Sequence, residues 1–105
     1  MKTMQVEYNS KAIKHISSTF DYYLQNYGKQ ACKNLALAID ERVNRLVRFP
    51  EIGRPEPLLR NKHILYRSII IDKNHKLVYY IKGNTIRIAA LWDMRMHPNR
   101  LSKKI

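Results

Sequence analysis

The sequence predicts an α+β domain: an N-terminal strand, an antiparallel helical hairpin, then a three-stranded antiparallel meander packed on the helices. Three observations carry this. Between positions 10 and 49 apolar residues recur at steps of three and four, the period of helices that bury one stripe. From Ile64 to Trp92 the chain is rich in Ile, Val and Tyr and is broken by DKNH and KGNT, the composition and punctuation of hairpins. Between the halves lies PEIGRPEPLLRN (Pro50 to Asn61), dense in proline and without period, which reads as a loop.

Taken in order, Met4 to Tyr8 alternates apolar Met4, Val6 and Tyr8 with polar Gln5 and Glu7, which suits a short strand with one face buried. Asn9 or Ser10 then supplies an N-cap oxygen. Ile13, Ile16, Phe20, Leu24 and Tyr27 form the stripe of the first helix, and Gly28 ends it. Cys32, Ala36, Ile39, Val43 and Leu46 form the stripe of the second, which runs from about Lys29 to Phe49 and stops at Pro50. So short a link makes the helices pack antiparallel, because neither can bury its stripe alone. Strands follow at about 64–71, 76–81 and 86–92, joined by two-residue turns centred on Lys73-Asn74 and Gly83-Asn84.

Length and composition bound the rest. A chain of 105 residues, 45% apolar with only 3 Gly, is read as one domain over 1–105. It can bury somewhat over ~60% of its unfolded surface without staples. One cysteine, Cys32, leaves no intramolecular disulfide, and its place on the apolar stripe makes it a small buried hydrophobe. No apolar run is long enough to span a membrane or to serve as a secretory signal, so a cytoplasmic protein is expected. The four histidines and Cys32 lack metal-ligand spacing, so no metal and no cofactor are expected.

Charge is the strongest functional signal. The formal net charge is +12 with a pI near 10.1, a field that favours an anionic partner. Residues 61–105 carry ten basic and two acidic side chains, against ten and six in residues 1–60. With two-residue turns, Arg67 faces Tyr80 and Tyr80 faces Arg87; Ile71 and Leu91 face Lys76, and Ile69 and Ala89 face Val78. One face of the meander is then the more continuously apolar set Tyr66, Ser68, Ile70, Leu77, Tyr79, Ile81, Ile86, Ile88, Ala90 and Trp92, expected beneath the helices. The other mixes Arg67, Lys76, Arg87 and Arg95 with Ile69, Ile71, Val78 and Leu91, an uncovered strip of the kind that marks a partner site. The candidate partner-binding set is Arg67, Ile69, Ile71, Lys76, Val78, Tyr80, Arg87 and Arg95, although Arg87 taken alone reads as a solvated side chain.

The order of elements, with FPEIGRP (Phe49 to Pro55), Tyr66-Arg67-Ser68, His75-Lys76-Leu77-Val78-Tyr79 and Leu91-Trp92-Asp93-Met94-Arg95 ahead of Pro98, resembles the RelE/ParE superfamily of bacterial toxins, which includes plasmid stabilisation proteins. That resemblance implies the toxin of a type II toxin–antitoxin system, held inactive by a cognate acidic antitoxin that folds on it. It implies one of two targets. RelE-like members cleave mRNA on the ribosome, and ParE-like members poison DNA gyrase.

RNA cleavage without a metal needs a base for the 2′-hydroxyl, cations for the developing phosphorane charge and an acid for the leaving oxygen. Arg67, Lys76 and Arg95 match basic catalytic positions of RelE-like nucleases, whereas Ile69 replaces a lysine and Leu101 a tyrosine. His97, with an unperturbed pKa near ~6.5, is the substitute acid or base. Gyrase poisoning needs only a binding surface, and the Tyr66-Arg67-Ser68 segment with His75, Val78 and Tyr79 is similar to the ParE side. The third alternative is a basic nucleic-acid-binding module without toxicity.

Overall fold

The computed structural model describes residues 4–105. Strand β1 (Gln5–Tyr8) leads into helices α1 (Ser10–Tyr27) and α2 (Lys29–Arg48); a two-residue strand β2 (Arg54–Pro55) and a 3-10 helix (Pro57–Leu59) follow; then come β3 (Arg67–Ile70), β4 (His75–Lys82), β5 (Thr85–Asp93) and a C-terminal helix α3 (Asn99–Lys104). The strands form one sheet in the order β1-β5-β4-β3-β2. The α+β class, the first strand, the two helices and the meander stand as expected. The additions are that β1 joins β5 in parallel, that β2 extends the far edge, and that α3 exists.

Local chemistry explains the boundaries. The Asn9 side chain caps α1 by accepting the Ala12 N–H at 2.8 Å. Gly28 takes φ +91°, in the left-handed region that glycine tolerates, so α2 starts one residue after α1 ends. Phe49 donates its N–H to the Arg45 carbonyl at 2.9 Å, and Pro50 prevents a further turn.

Two apolar cores sandwich the sheet. On one side α1 and α2 bring Ala12, Leu35, Ile39, Val43 and Leu46 onto Leu77, Tyr79, Ile86, Ile88 and Leu91. Leu35 takes the place expected for Cys32, which is half-buried with its thiol 3.6 Å from the Phe20 carbonyl. On α1 only Ala12 is fully buried: this small residue sits at the contact with the core, and Ile13, Leu24 and Tyr27 of the expected stripe stay exposed. On the other side Leu59, Val78, Ala89, Ala90, Trp92 and Leu101 form a second, smaller core.

That second core overturns the expectation of an uncovered strip, and two single-residue shifts are the cause. The β3–β4 connection is three residues, not two: Asp72 accepts the N–H groups of Asn74 and His75 at 2.8 Å, and the Ile71 N–H reaches the His75 carbonyl at 2.9 Å. Arg67 therefore faces Tyr79, not Tyr80, and Ile70 faces Lys76. Because side chains alternate, this slip moves all of β3 to the opposite face from the one expected. The second turn and the Tyr80–Arg87 pair stand as expected, but a β-bulge at Ala89 then puts Val78 opposite Ala90 and Lys76 opposite Trp92. Leu91, Ile71 and Ile69 thus join the helix-side core, and Ala90 and Trp92 leave it for the other. Val78, predicted as exposed, has no accessible surface, because Leu59 and Leu101 cover it.

Candidate functional site

The sheet face away from α1 and α2 carries a buried ion pair. Glu56 begins the 3-10 helix and accepts the Leu58 N–H at 2.8 Å, a cap that turns its carboxylate inward. Its side chain is fully buried, and the Lys76 ammonium, projecting from β4 on the same face, pairs with it. Burial works to raise the Glu56 pKa, but Lys76, the Leu58 N–H and the Ser68 hydroxyl together outweigh it, so the carboxyl titrates below the usual range.

Arg67 lies on the opposite, helix-side face and serves the segment after α2. Its guanidinium donates to the Gly53 carbonyl at 2.8 Å and reaches the Glu51 carbonyl at 3.5 Å. Tyr79, opposite it in the ladder and fully buried, donates its hydroxyl to the Pro50 carbonyl at 2.7 Å and accepts the Gly53 N–H at 2.9 Å. Two side chains of the sheet therefore hold the backbone of residues 50–53. Gly53 is required there by space: a Cβ would lie 2.5 Å from the Tyr79 hydroxyl oxygen and 2.8 Å from the Ser68 carbonyl oxygen. Gly53→Ala is expected to destabilise the fold by about 1–3 kcal/mol through this overpacking. A denaturation midpoint equal to that of the wild type would show that the segment yields instead.

Arg95 lies in the turn after β5. It forms a two-pronged contact with Asp93, Nε to Oδ1 at 3.0 Å and an Nη to Oδ2 at 2.8 Å, which holds the Asp93 carboxyl below its ordinary pKa. It lines a groove against α1 together with Lys14, Tyr22, Tyr23 and His75. The His75 ring is buried, with Nδ1 3.0 Å from Asp72 and Tyr23 packed on it at 5.7 Å between ring centroids. His97 is exposed in the turn before α3.

Three of the four candidate catalytic residues are thus engaged locally, on different faces and in different segments, and are not brought together. Arg67 serves the 50–53 backbone, Lys76 the buried Glu56 on the other face, Arg95 the Asp93 carboxylate, and His97 stands before α3. Among the candidate binding residues, Ile71 and Val78 are buried and Ile69 is partly buried, which removes the aliphatic part of the expected surface. Tyr80 and Arg87 remain neighbours on the accessible side, where Tyr80 meets Tyr66 edge to face at 5.5 Å and Arg87 approaches Glu7 at 3.7 Å. Among the described residues there is no group of three or more His, Cys, Asp or Glu side chains that could hold a metal ion.

Sequence reasoning missed Glu56, Tyr79 and Gly53 as a structural set. Their signal was the RPEPLL string, in which Pro57 pre-forms the first position of a short helix and Glu56 precedes it as a cap. It also missed the exposed apolar side chains outside the sheet: Phe49 at 59%, Ile52 at 47%, and Ile13 and Leu37 at 55% and 56% accessibility.

With this geometry in hand, comparison with known proteins is informative. Residues 6–98 match the family model described as the ParE toxin of the type II toxin–antitoxin system, parDE. No curated protein matches. Among solved structures, a chain of the chromosomal ParDE toxin–antitoxin system from P. aeruginosa superposes with a TM-score of 0.70 at 18% identity, over 87% of this chain and 96% of that one, a likeness of fold. A YoeB dimer from Staphylococcus aureus gives a TM-score of 0.60 at 27% identity, over 86% of this chain and 95% of that one. A YoeB–YefM complex from Staphylococcus aureus gives 0.55 at 24% identity, over the same shares.

Proposed function

Because the chain belongs to the family of ParE toxins of type II toxin–antitoxin systems, we propose that it arrests growth by gripping DNA gyrase, as ParE-like toxins do, and not by cutting mRNA. The observation that carries this choice is the dispersal of Arg67, Lys76 and Arg95, each held by its own local contacts. A phosphorane needs cations and a proton donor converging on one point. A protein-binding inhibitor needs none of that, only exposed apolar and basic surface, which the molecule has.

The partner in the resting state is a cognate acidic antitoxin. The groove between α1 and α2, lined by Ile13, Ile16, Phe20, Ala36 and Ile39 and also by Asp21 and Asp40, is the site proposed for the apolar residues of its folding-upon-binding segment, whose acidic residues then lie outside the groove. Both encounters belong in the cytoplasm. No helix among the described residues is long and apolar enough to cross a membrane.

One observation favours the RelE-like reading: Lys76 and Glu56 form a paired cation and carboxylate beside the sheet. The Glu56 side chain is fully buried, however, so an RNA 2′-hydroxyl has no access to it in this fold. The expected result in cells is therefore that plasmids lose negative supercoiling after toxin induction, while primer extension on translated mRNA finds no new ends. New ends that disappear in Arg95→Ala and His97→Ala would overturn the gyrase reading in favour of the nuclease.

A further inference from the structure

We propose that the segment 49–53 is the toxin's gripping loop, with Phe49 and Ile52 as anchors that enter an apolar pocket on an acidic surface of the target protein. This inference rests on the reading of the molecule as a protein-binding toxin and names the surface that performs it.

Three features taken together recommend this loop over the other exposed apolar pair, Ile64 and Leu65. First, it displays two large apolar side chains side by side, Phe49 at 59% and Ile52 at 47% exposure, where burial in a partner is strongly favourable. Second, its backbone is fixed from beneath. Tyr79 holds the Pro50 carbonyl and the Gly53 N–H, Arg67 holds the Gly53 carbonyl, and the Ile52 N–H closes onto the Phe49 carbonyl at 3.0 Å. A loop built this way has surrendered its conformational entropy in folding, so binding loses little more. Third, two hollows flank the anchors, and Phe49, Ile52 and Arg48 line both.

Charge specifies the partner. Arg45 shares the first hollow, and the acid there, Glu41, is already bound to Arg42 and Arg45. The Arg48 side chain, at the end of α2, has no hydrogen-bond or ion-pair partner among the described residues. Apolar anchors flanked by Arg45 and Arg48, with Glu51 also lining the second hollow, suit the centre of a protein interface, where aromatic and arginine side chains carry most of the energy. A nucleic acid would be met by stacking platforms along a basic track. Ile52 has no stacking face, and the exposed Tyr22 and Tyr27 sit at the far end of α1.

The test is the double variant Phe49→Asp/Ile52→Asp, with Phe49→Ser as the milder form should the double variant not fold. Phe49 is 59% and Ile52 47% exposed, so the thermal midpoint should stay close to that of the wild type. Purified variant should need at least tenfold more protein than wild type to block gyrase supercoiling, and its induction should no longer arrest growth. Co-purification with the antitoxin, and retardation of duplex DNA on gels, should be unchanged. A folded variant that inhibits gyrase like wild type overturns the proposal while leaving the gyrase reading intact. Loss of antitoxin capture, or of DNA retardation, overturns it in favour of those occupants. If wild type itself leaves gyrase untouched, the gyrase reading fails alone, and growth arrest decides: persistence in the variant overturns the loop, and its loss supports a different protein target.

Discussion

Lys76→Met is expected to remove about 3–5 kcal/mol of folding stability at neutral pH, because it leaves the fully covered Glu56 carboxylate without its counter-ion. The pH dependence distinguishes this cause from lost packing. In the wild type the Glu56 pKa is lowered, so its stabilising effect is complete above the unfolded value near ~4.3 and is lost as pH falls through the folded one. In Lys76→Met burial remains as the leading influence and pushes that pKa up. The variant should therefore be weakest at neutral pH and should recover relative to wild type as the medium is acidified. The double change Glu56→Leu/Lys76→Met should regain most of the loss, less about 1 kcal/mol for the missing cap on Leu58. Urea titrations at neutral and acidic pH measure all of this; a pH-independent deficit would mean that the pair is solvated.

Leu101→Ala is the second large effect. Leu101 is fully buried against the side of the sheet away from α1 and α2, and truncating such a leucine removes about 2–5 kcal/mol. The loss should fall near the lower end of that range, because α3 is only six residues long and can detach in place of enclosing a cavity. Detachment has its own signature. Amide exchange should accelerate around Val78, Ala90 and Trp92, and Trp92 fluorescence should shift to the red, while Leu35 and Leu46 keep their protection. Uniform acceleration over both cores would instead mean that the two layers unfold as one unit.

Long-period features were legible in the sequence and single-residue ones were not. The spacing of Ile39, Val43 and Leu46 defines a helix whatever surrounds it, and the Gly83 turn fixes the Tyr80–Arg87 pair. In contrast, Asp72 draws one additional residue into the first turn by bonding two backbone N–H groups, and DKNH reads equally well without that bond. Ala89 is bulged inside a run, Ile88 to Leu91, that is apolar at every position, so alternation carries no information there. These two shifts decide which face each candidate residue occupies. They separate Arg67 from Lys76 and put Trp92 under Leu101. The helix α3 follows Pro98 in a short polar stretch whose one deeply buried anchor, Leu101, gives no period to read.

The same shifts changed the functional conclusion. A sheet face expected to be open and greasy is closed by the chain's own Leu59 and Leu101, and accessible apolar surface lies instead on the helical groove, on the 49–53 loop and at Leu58, Ile64, Leu65 and Ile70. Arg67, first a candidate for transition-state charge, acts as a strut for that loop.

The most direct measurement is a supercoiling reaction with purified toxin, gyrase and relaxed plasmid, with the antitoxin added in a parallel series. Inhibition that rises with toxin and is abolished by equimolar antitoxin is the expected result. Unimpaired supercoiling at micromolar toxin, from a preparation that arrests growth when induced in cells, would contradict the account.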